Sequence, residues 1–187
     1  SKMETLKLVS MQGGDTDESY AQNSEPQNYS FHAFGKTHLE NAVHLYKKNN
    51  GTWNTDKHSR DIIELSRPRL IRIADYGCCY GKNTLDYAQF IVTKILEIDG
   101  DDNQLKQERT EPQPELCYEF QYFFVDLPSN DFNSLFHMLH SSDLAIFFRR
   151  LKFYTAGVPG SFYDRVLPKG SVDFGITTYS LHWLSQV

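Results

Sequence analysis

The chain has 187 residues, enough for one domain with a real core. It is 40% hydrophobic and 14% aromatic, which places it with globular rather than disordered proteins. Its formal net charge of -5 argues against nucleic acid and anionic membrane as main partners, and no apolar run approaches the ~20 residues of a membrane span.

Ser1-Lys2-Met3-Glu4-Thr5 lack the apolar core of a signal peptide. Residues 1–30 read as an irregular lead, with Gly13-Gly14, Asn23, Ser24 and Pro26. A helix is predicted over residues 36–48, with Leu39, Val43 and Tyr46 on one side and Asn49-Asn50-Gly51 ending it. Residues 51–68 are polar and loop-like.

The next stretch is the most telling: Ile71-Arg72-Ile73-Ala74-Asp75-Tyr76-Gly77-Cys78-Cys79-Tyr80-Gly81-Lys82-Asn83-Thr84. Leu70, Ile71, Ile73 and Ala74 form a short apolar strand that suits burial on both faces. Gly77 and Gly81 let the backbone turn tightly and approach a ligand without a Cβ. Asn83 or Thr84 is placed to cap a helix whose Leu85, Ala88, Ile91 and Ile95 form one apolar face, and strand, turn and helix fill about 70–97. The spacing G-x-x-x-G is not the dinucleotide G-x-G-x-x-G. Taken alone it fits an adenosyl-cofactor site and an ordinary strand–turn–helix equally well.

Residues 98–116 are charged and proline-bearing, a solvated loop. A second strand, Phe120-Gln121-Tyr122-Phe123-Phe124-Val125, ends in Asp126. An acid there can hold a ribose diol at the carboxyl end of a parallel sheet, or simply cap the turn that Pro128 and Ser129 favour. Asn130-Asp131 caps a helix with Phe132, Leu135, Phe136 and Leu139 on one face. A third strand is predicted over 151–156, and a fourth over 171–179. The order strand–helix–strand–helix–strand–turn–strand predicts an α/β fold, a Rossmann-like sheet with flanking helices. Because the fourth strand stops near residue 187, the sheet is expected to be incomplete, with later strands absent.

Cys78, Cys79 and Cys117 are odd in number and two are adjacent, so reduced thiols in a cytoplasmic protein are expected, with Cys78 and Cys79 packing in the turn. No spacing suits zinc, and His137 and His140 share a helix face without a further ligand, so no metal is expected.

Five segments in order resemble the plant SABATH methyltransferases. They are Met11-Gln12-Gly13-Gly14 with Ser19-Tyr20-Ala21-Gln22-Asn23-Ser24; Ala74-Asp75-Tyr76-Gly77-Cys78 with Gly81 and Asn83-Thr84; Asp126-Leu127-Pro128-Ser129-Asn130-Asp131-Phe132-Asn133; Gly157-Val158-Pro159-Gly160-Ser161-Phe162-Tyr163; and Tyr179-Ser180-Leu181-His182-Trp183-Leu184-Ser185-Gln186. The resemblance implies a class I methyltransferase domain over 69–187, whose first part this is, with the lead, helix and loop of 1–68 contributing to the cofactor and acceptor pockets. It implies an S-adenosylmethionine-dependent carboxyl methyltransferase of plant secondary metabolism, acting on a small acid of the salicylate, benzoate, jasmonate, indoleacetate or loganate type and releasing a methyl ester and S-adenosylhomocysteine. One branch of that family methylates xanthine nitrogens instead, and a non-catalytic cofactor-binding or interaction fragment is the reading outside enzymes.

By the same resemblance, the cofactor would touch Ser24, Asp75, Asn83, Asp126, Leu127, Ser161 and Phe162. Asp126 would accept from the ribose hydroxyls, Ser161 and Phe162 would flank the adenine, and Asp75 would favour the cationic end. The acceptor carboxylate would be held by Gln27 and the indole of Trp183, in a pocket lined by Tyr20, Tyr179 and His182. Read without the resemblance, Gln27 is a loop residue, Trp183 a core tryptophan and His182 a hydrogen-bonded structural histidine. Family members also carry a helical cap that closes the acceptor pocket and contributes to a homodimer; no cap segment is found here. Gln12 stands where many carry lysine, and Tyr80 and Lys82 replace a small residue and a proline, with Tyr80 expected to point outward.

Overall fold

The computed structural model describes residues 29, 31–50, 68–98, 118–141, 143–178 and 180. A π-type turn, Phe31–Gly35, leads into α1 (Lys36–Asn50). The remaining elements are β1 (Arg69–Tyr76), α2 (Lys82–Ile98), β2 (Tyr118–Asp126), α3 (Phe132–Ser141), α4 (Leu144–Arg149), β3 (Phe153–Pro159) and β4 (Phe174–Ile176). The strands form one sheet in the order β3-β2-β1-β4, and every pairing is parallel. The chain steps outward from β1 to β3 and then returns to the other side of β1. That reversal makes the β1/β4 boundary the topological switch point, where open α/β sheets bind ligands beyond the strand ends.

The pleat sorts the core. Ile71, Ile73 and Asp75 of β1 share a face with Phe120, Tyr122 and Phe124 of β2, and all six are buried. α2 covers this face with the stripe its sequence predicts, Leu85, Ala88, Ile91 and Ile95, and with Val92 beside it. α3 reaches the same face, where Phe136 meets Phe124 edge to face with centroids 6.0 Å apart. α1 packs beside α2: Phe31 lies 4.2 Å from the Tyr87 ring, and Tyr46 sits edge-on to Phe174 of β4. The lead helix is thus joined to the sheet rather than tethered beside it.

Two strands differ from expectation, and one helix was not anticipated. β3 begins at Phe153 and runs through Gly157-Val158 to Pro159, not over 151–156, because its ladder follows β2 to the end, with Pro159 opposite Asp126. Pro159 is tolerated as the last residue of a strand at the edge of the described sheet, where its missing N–H breaks no inner ladder. Gly157 passes under α3, where a Cβ would lie 3.1 Å from Phe132 Cδ1 and 3.2 Å from Phe136 Cε2.

Of the strand expected over 171–179, the described residues keep three, Phe174–Ile176, and Tyr179 lies outside them. Just before β4, Asp173 Oδ2 accepts from Arg72 N at 2.9 Å and from Arg72 Nε at 2.8 Å, while Asp173 N donates to Arg72 O. At residue 173 a side-chain carboxylate takes the place of a strand carbonyl, so the ladder starts at Phe174. Burial raises the Asp173 carboxyl, but the Arg72 hydrogen bonds and charge more than reverse this and hold it below the usual range. The unanticipated α4 buries Ala145 and Phe148, and Phe148 stacks on Phe153 at 4.3 Å. Its run Leu-Ala-Ile-Phe-Phe is too short for periodicity to tell helix from strand.

Candidate functional site

The site forms where β1 and β2 end side by side. Gly77 N and Cys78 N both donate to Val125 O, at 2.8 and 3.2 Å, which ties the turn after β1 to the end of β2. Cys79 N donates to Asp126 Oδ2 at 2.7 Å, and Leu127 N donates to Asp126 Oδ1 at 2.7 Å. Asn130 then closes the clamp, its side-chain amide donating to Cys79 O at 3.0 Å. The turn is therefore built by its neighbour strand.

Of the two motif glycines, only Gly77 is demanded by the turn. It sits at φ +79°, and a Cβ there would fall 1.9 Å from Ser180 Oγ. Gly81 has no such φ, and a Cβ on it would meet nothing within 4 Å. The second left-handed position belongs to Cys79, at φ 56°. Tyr80 is buried rather than outward, and Cys78 and Cys79 pack inside as expected. Burial pushes the Cys78 thiol well up and the Cys79 thiol up to about 12, so neither is a nucleophile near neutral pH.

Asp75 lies at the centre with no exposed surface. Its Oδ2 accepts from Thr84 Oγ1 at 2.5 Å and from Tyr122 OH at 3.4 Å, while Oδ1 has no partner among the described residues. Burial raises its carboxyl to about 7, with the Asp126 charge adding to this and the two hydroxyls opposing it. Burial also raises Asp126, against the pull of the Cys79 and Leu127 N–H groups. Neither Asn83 nor Thr84 caps α2, which starts at Lys82; Asn83 is buried in its first turn, and Thr84 turns its hydroxyl to Asp75.

A cavity of about 460 Å³ opens at the switch point. It is lined by Tyr76 at the end of β1, Thr177 beyond β4 and the loop carrying Phe162, Arg165 and Val172. Phe162 bridges cavity and turn, since a Cβ at residue 77 would come 3.9 Å from its Cε1. Ser161 is engaged locally, its Oγ accepting from Tyr163 N and its carbonyl from Asp164 N.

The structure thus gathers Asp75, Asn83, Asp126, Leu127 and Phe162 around one turn. Tyr20, Ser24, Gln27, Tyr179, His182 and Trp183 lie outside the described residues. Thr84, Tyr122 and Asn130 were missed as site residues. Tyr122 carried a signal: a hydroxyl on a strand face between Phe120 and Phe124 needs a buried partner. Thr84 was read as a cap and Asn130 as a helix start, and although both stand in segments that resemble the family, neither was given a site role. Among the described residues no group of histidine, cysteine and acid is placed to hold a metal.

The sequence pattern of the SAM dependent carboxyl methyltransferases matches residues 6–187. The chain belongs to this family. It is 37% identical over 178 residues to a probable S-adenosylmethionine-dependent methyltransferase of Arabidopsis thaliana, covering 95% of this chain and 42% of that protein. It is 37% identical over 177 residues to loganic acid O-methyltransferase of Catharanthus roseus, covering 95% and 39%. A solved structure of loganic acid methyltransferase with SAH superposes with a TM-score of 0.63 at 34% identity, over 93% of this chain and 40% of that one. This chain therefore spans about two fifths of the length of the carboxyl methyltransferases it matches. The chemistry around the Gly77 turn suits the family's cofactor: Asp75 Oδ1 is a buried acceptor without a donor among the described residues, and Asp126 places a second carboxylate at the adjacent strand end.

Proposed function

We propose that this chain carries the cofactor site of an S-adenosylmethionine-dependent carboxyl methyltransferase that converts a small organic acid to its methyl ester. One observation carries the reading: Asp75, one residue before the end of β1, and Asp126, the last residue of β2, flank the Gly77 turn on adjacent strands, in a chain matched to this family over residues 6–187. When bound, the cofactor supplies a methyl group activated on a sulfonium sulfur. The described residues bind and orient it. Asp126, fixed by two backbone N–H groups, keeps about half of its roughly four acceptor sites for a ribose diol. Asp75 accepts from the amino-acid end, Phe162 stacks on the adenine beside Ser161, and Asn83, Leu127 and Ser24 complete the contacts.

In this reading Gln27 and Trp183 donate to the acceptor carboxylate, and Tyr20, Tyr179 and His182 shape its pocket. The carboxylate is already ionised near neutral pH, so no general base is needed. Rate then comes from holding oxygen in line with the methyl carbon and from excluding water. Acids of the loganic, gibberellic or indole-3-acetic kind, on which related enzymes act by name, head the acceptor panel. A cytoplasmic homodimer in plant secondary metabolism goes with this reading. The test is methyl transfer by the full-length protein across small acids and a xanthine. Ester formation that falls when Gln27 becomes alanine is expected; no ester from any acid, or methylation of the purine instead, would overturn it.

A further inference from the structure

Asp75 is a fully buried acid whose two oxygens are treated unequally. Oδ2 takes two hydroxyls, Thr84 from α2 and Tyr122 from β2, while Oδ1 takes none among the described residues. The other titratable groups acting on it are Asp126 on β2 and Cys78 and Cys79 in the turn; none of them is a cation. Leaving a buried carboxylate oxygen without a donor costs stability, and an apolar residue would serve packing better. An arrangement that satisfies one oxygen and leaves its twin bare is suited to a ligand that brings the missing donor.

Resting on the cofactor reading above, we propose that Thr84 is a positioning residue. Its hydroxyl holds ionised Asp75 by Oδ2 so that Oδ1 faces a donor of the adenosyl cofactor, and cofactor binding releases the Asp75 proton to solvent. Burial already holds the free carboxyl up to about 7, so its proton must leave within the physiological range. Affinity should then climb with pH up to about 7 and level off above it. Thr84→Val keeps the shape but removes the donor that favours the ionised form. Losing a hydrogen bond to a charged group should move the midpoint up by about one pH unit, so that affinity at pH 6.5 falls roughly tenfold. A residue that served only to pack would weaken binding equally at every pH.

The test is S-adenosylhomocysteine titration of the full chain by calorimetry from pH 5.5 to 9. The parent should show a midpoint near 7, Thr84→Val a higher one, and Thr84→Ser a return to the parent value. Tyr122→Phe removes the longer of the two hydrogen bonds and should shift the midpoint less but in the same direction; it decides the matter if Thr84→Val does not fold. Binding by the parent with a midpoint unmoved in these variants, or with no pH dependence, overturns the inference alone. A folded parent that binds no S-adenosylhomocysteine at any pH overturns the cofactor reading and the inference with it.

Discussion

Asp75→Asn should make the ligand-free protein more stable at pH 8 while cutting its affinity for S-adenosylhomocysteine by about tenfold or more. The folded Asp75 carboxyl keeps its proton to about pH 7, whereas the unfolded one loses it near the ordinary carboxylate value. Between those values the folded state binds the extra proton, so this residue's contribution falls as pH rises. Below about pH 4 both states are protonated and the cost vanishes; above pH 7 it reaches roughly 4 kcal/mol. Asparagine does not titrate, and the Thr84 and Tyr122 hydroxyls can each donate to it or accept from it. The stability gap between variant and parent, read from urea unfolding, should be small at pH 4 and widen toward pH 8. A gap that does not change with pH would mean that Asp75 titrates alike in the folded and unfolded chain. Stability gained where binding is lost is the usual signature of a strained functional group.

The second large effect separates the two glycines. Gly77→Ala forces a Cβ onto a φ of +79° and within 1.9 Å of Ser180 Oγ, whose hydroxyl donates to Gly77 O. Left-handed strain and overpacking together should cost about 2–4 kcal/mol. The same turn holds Cys79 N on Asp126, so cofactor affinity should fall with stability. Gly81→Ala meets nothing within 4 Å, and should leave the ligand-free protein unchanged or up to about 1 kcal/mol more stable. Thermal unfolding of the two variants side by side reads the difference. Equal stability would show that the turn tolerates a Cβ at 77 and is not the rigid element described here.

How much the sequence reveals depends on whether the signal is local. The β1 strand, the Gly77 turn and α2 were legible because apolar runs, a glycine and a 3.6-residue stripe follow one another without a break. Asp126 was legible as the acid closing an alternating strand, and both readings of it are compatible with its bond to Leu127 N. The start of β4 was not legible, because Asp173 reaches Arg72 from 101 residues away and takes the place of a strand residue. Thr84 and Asn130 were likewise hidden. Each acts on a partner in another element, and a threonine or asparagine near a helix start reads first as a cap. Cys79 in a left-handed conformation could not be foreseen either, since its neighbours offered two glycines for that task.

The central claim is that the ends of β1 and β2 hold an adenosyl cofactor. The most direct measurement is a thermal-shift titration of the chain with S-adenosylhomocysteine, with Asp126→Ala as control. At 100-fold excess over Kd, binding should add roughly 2.7 kcal/mol, a shift of a few degrees for a domain of this size. The account predicts that shift in the parent and its loss in Asp126→Ala. No shift in a folded parent, or an equal shift in both proteins, would contradict it.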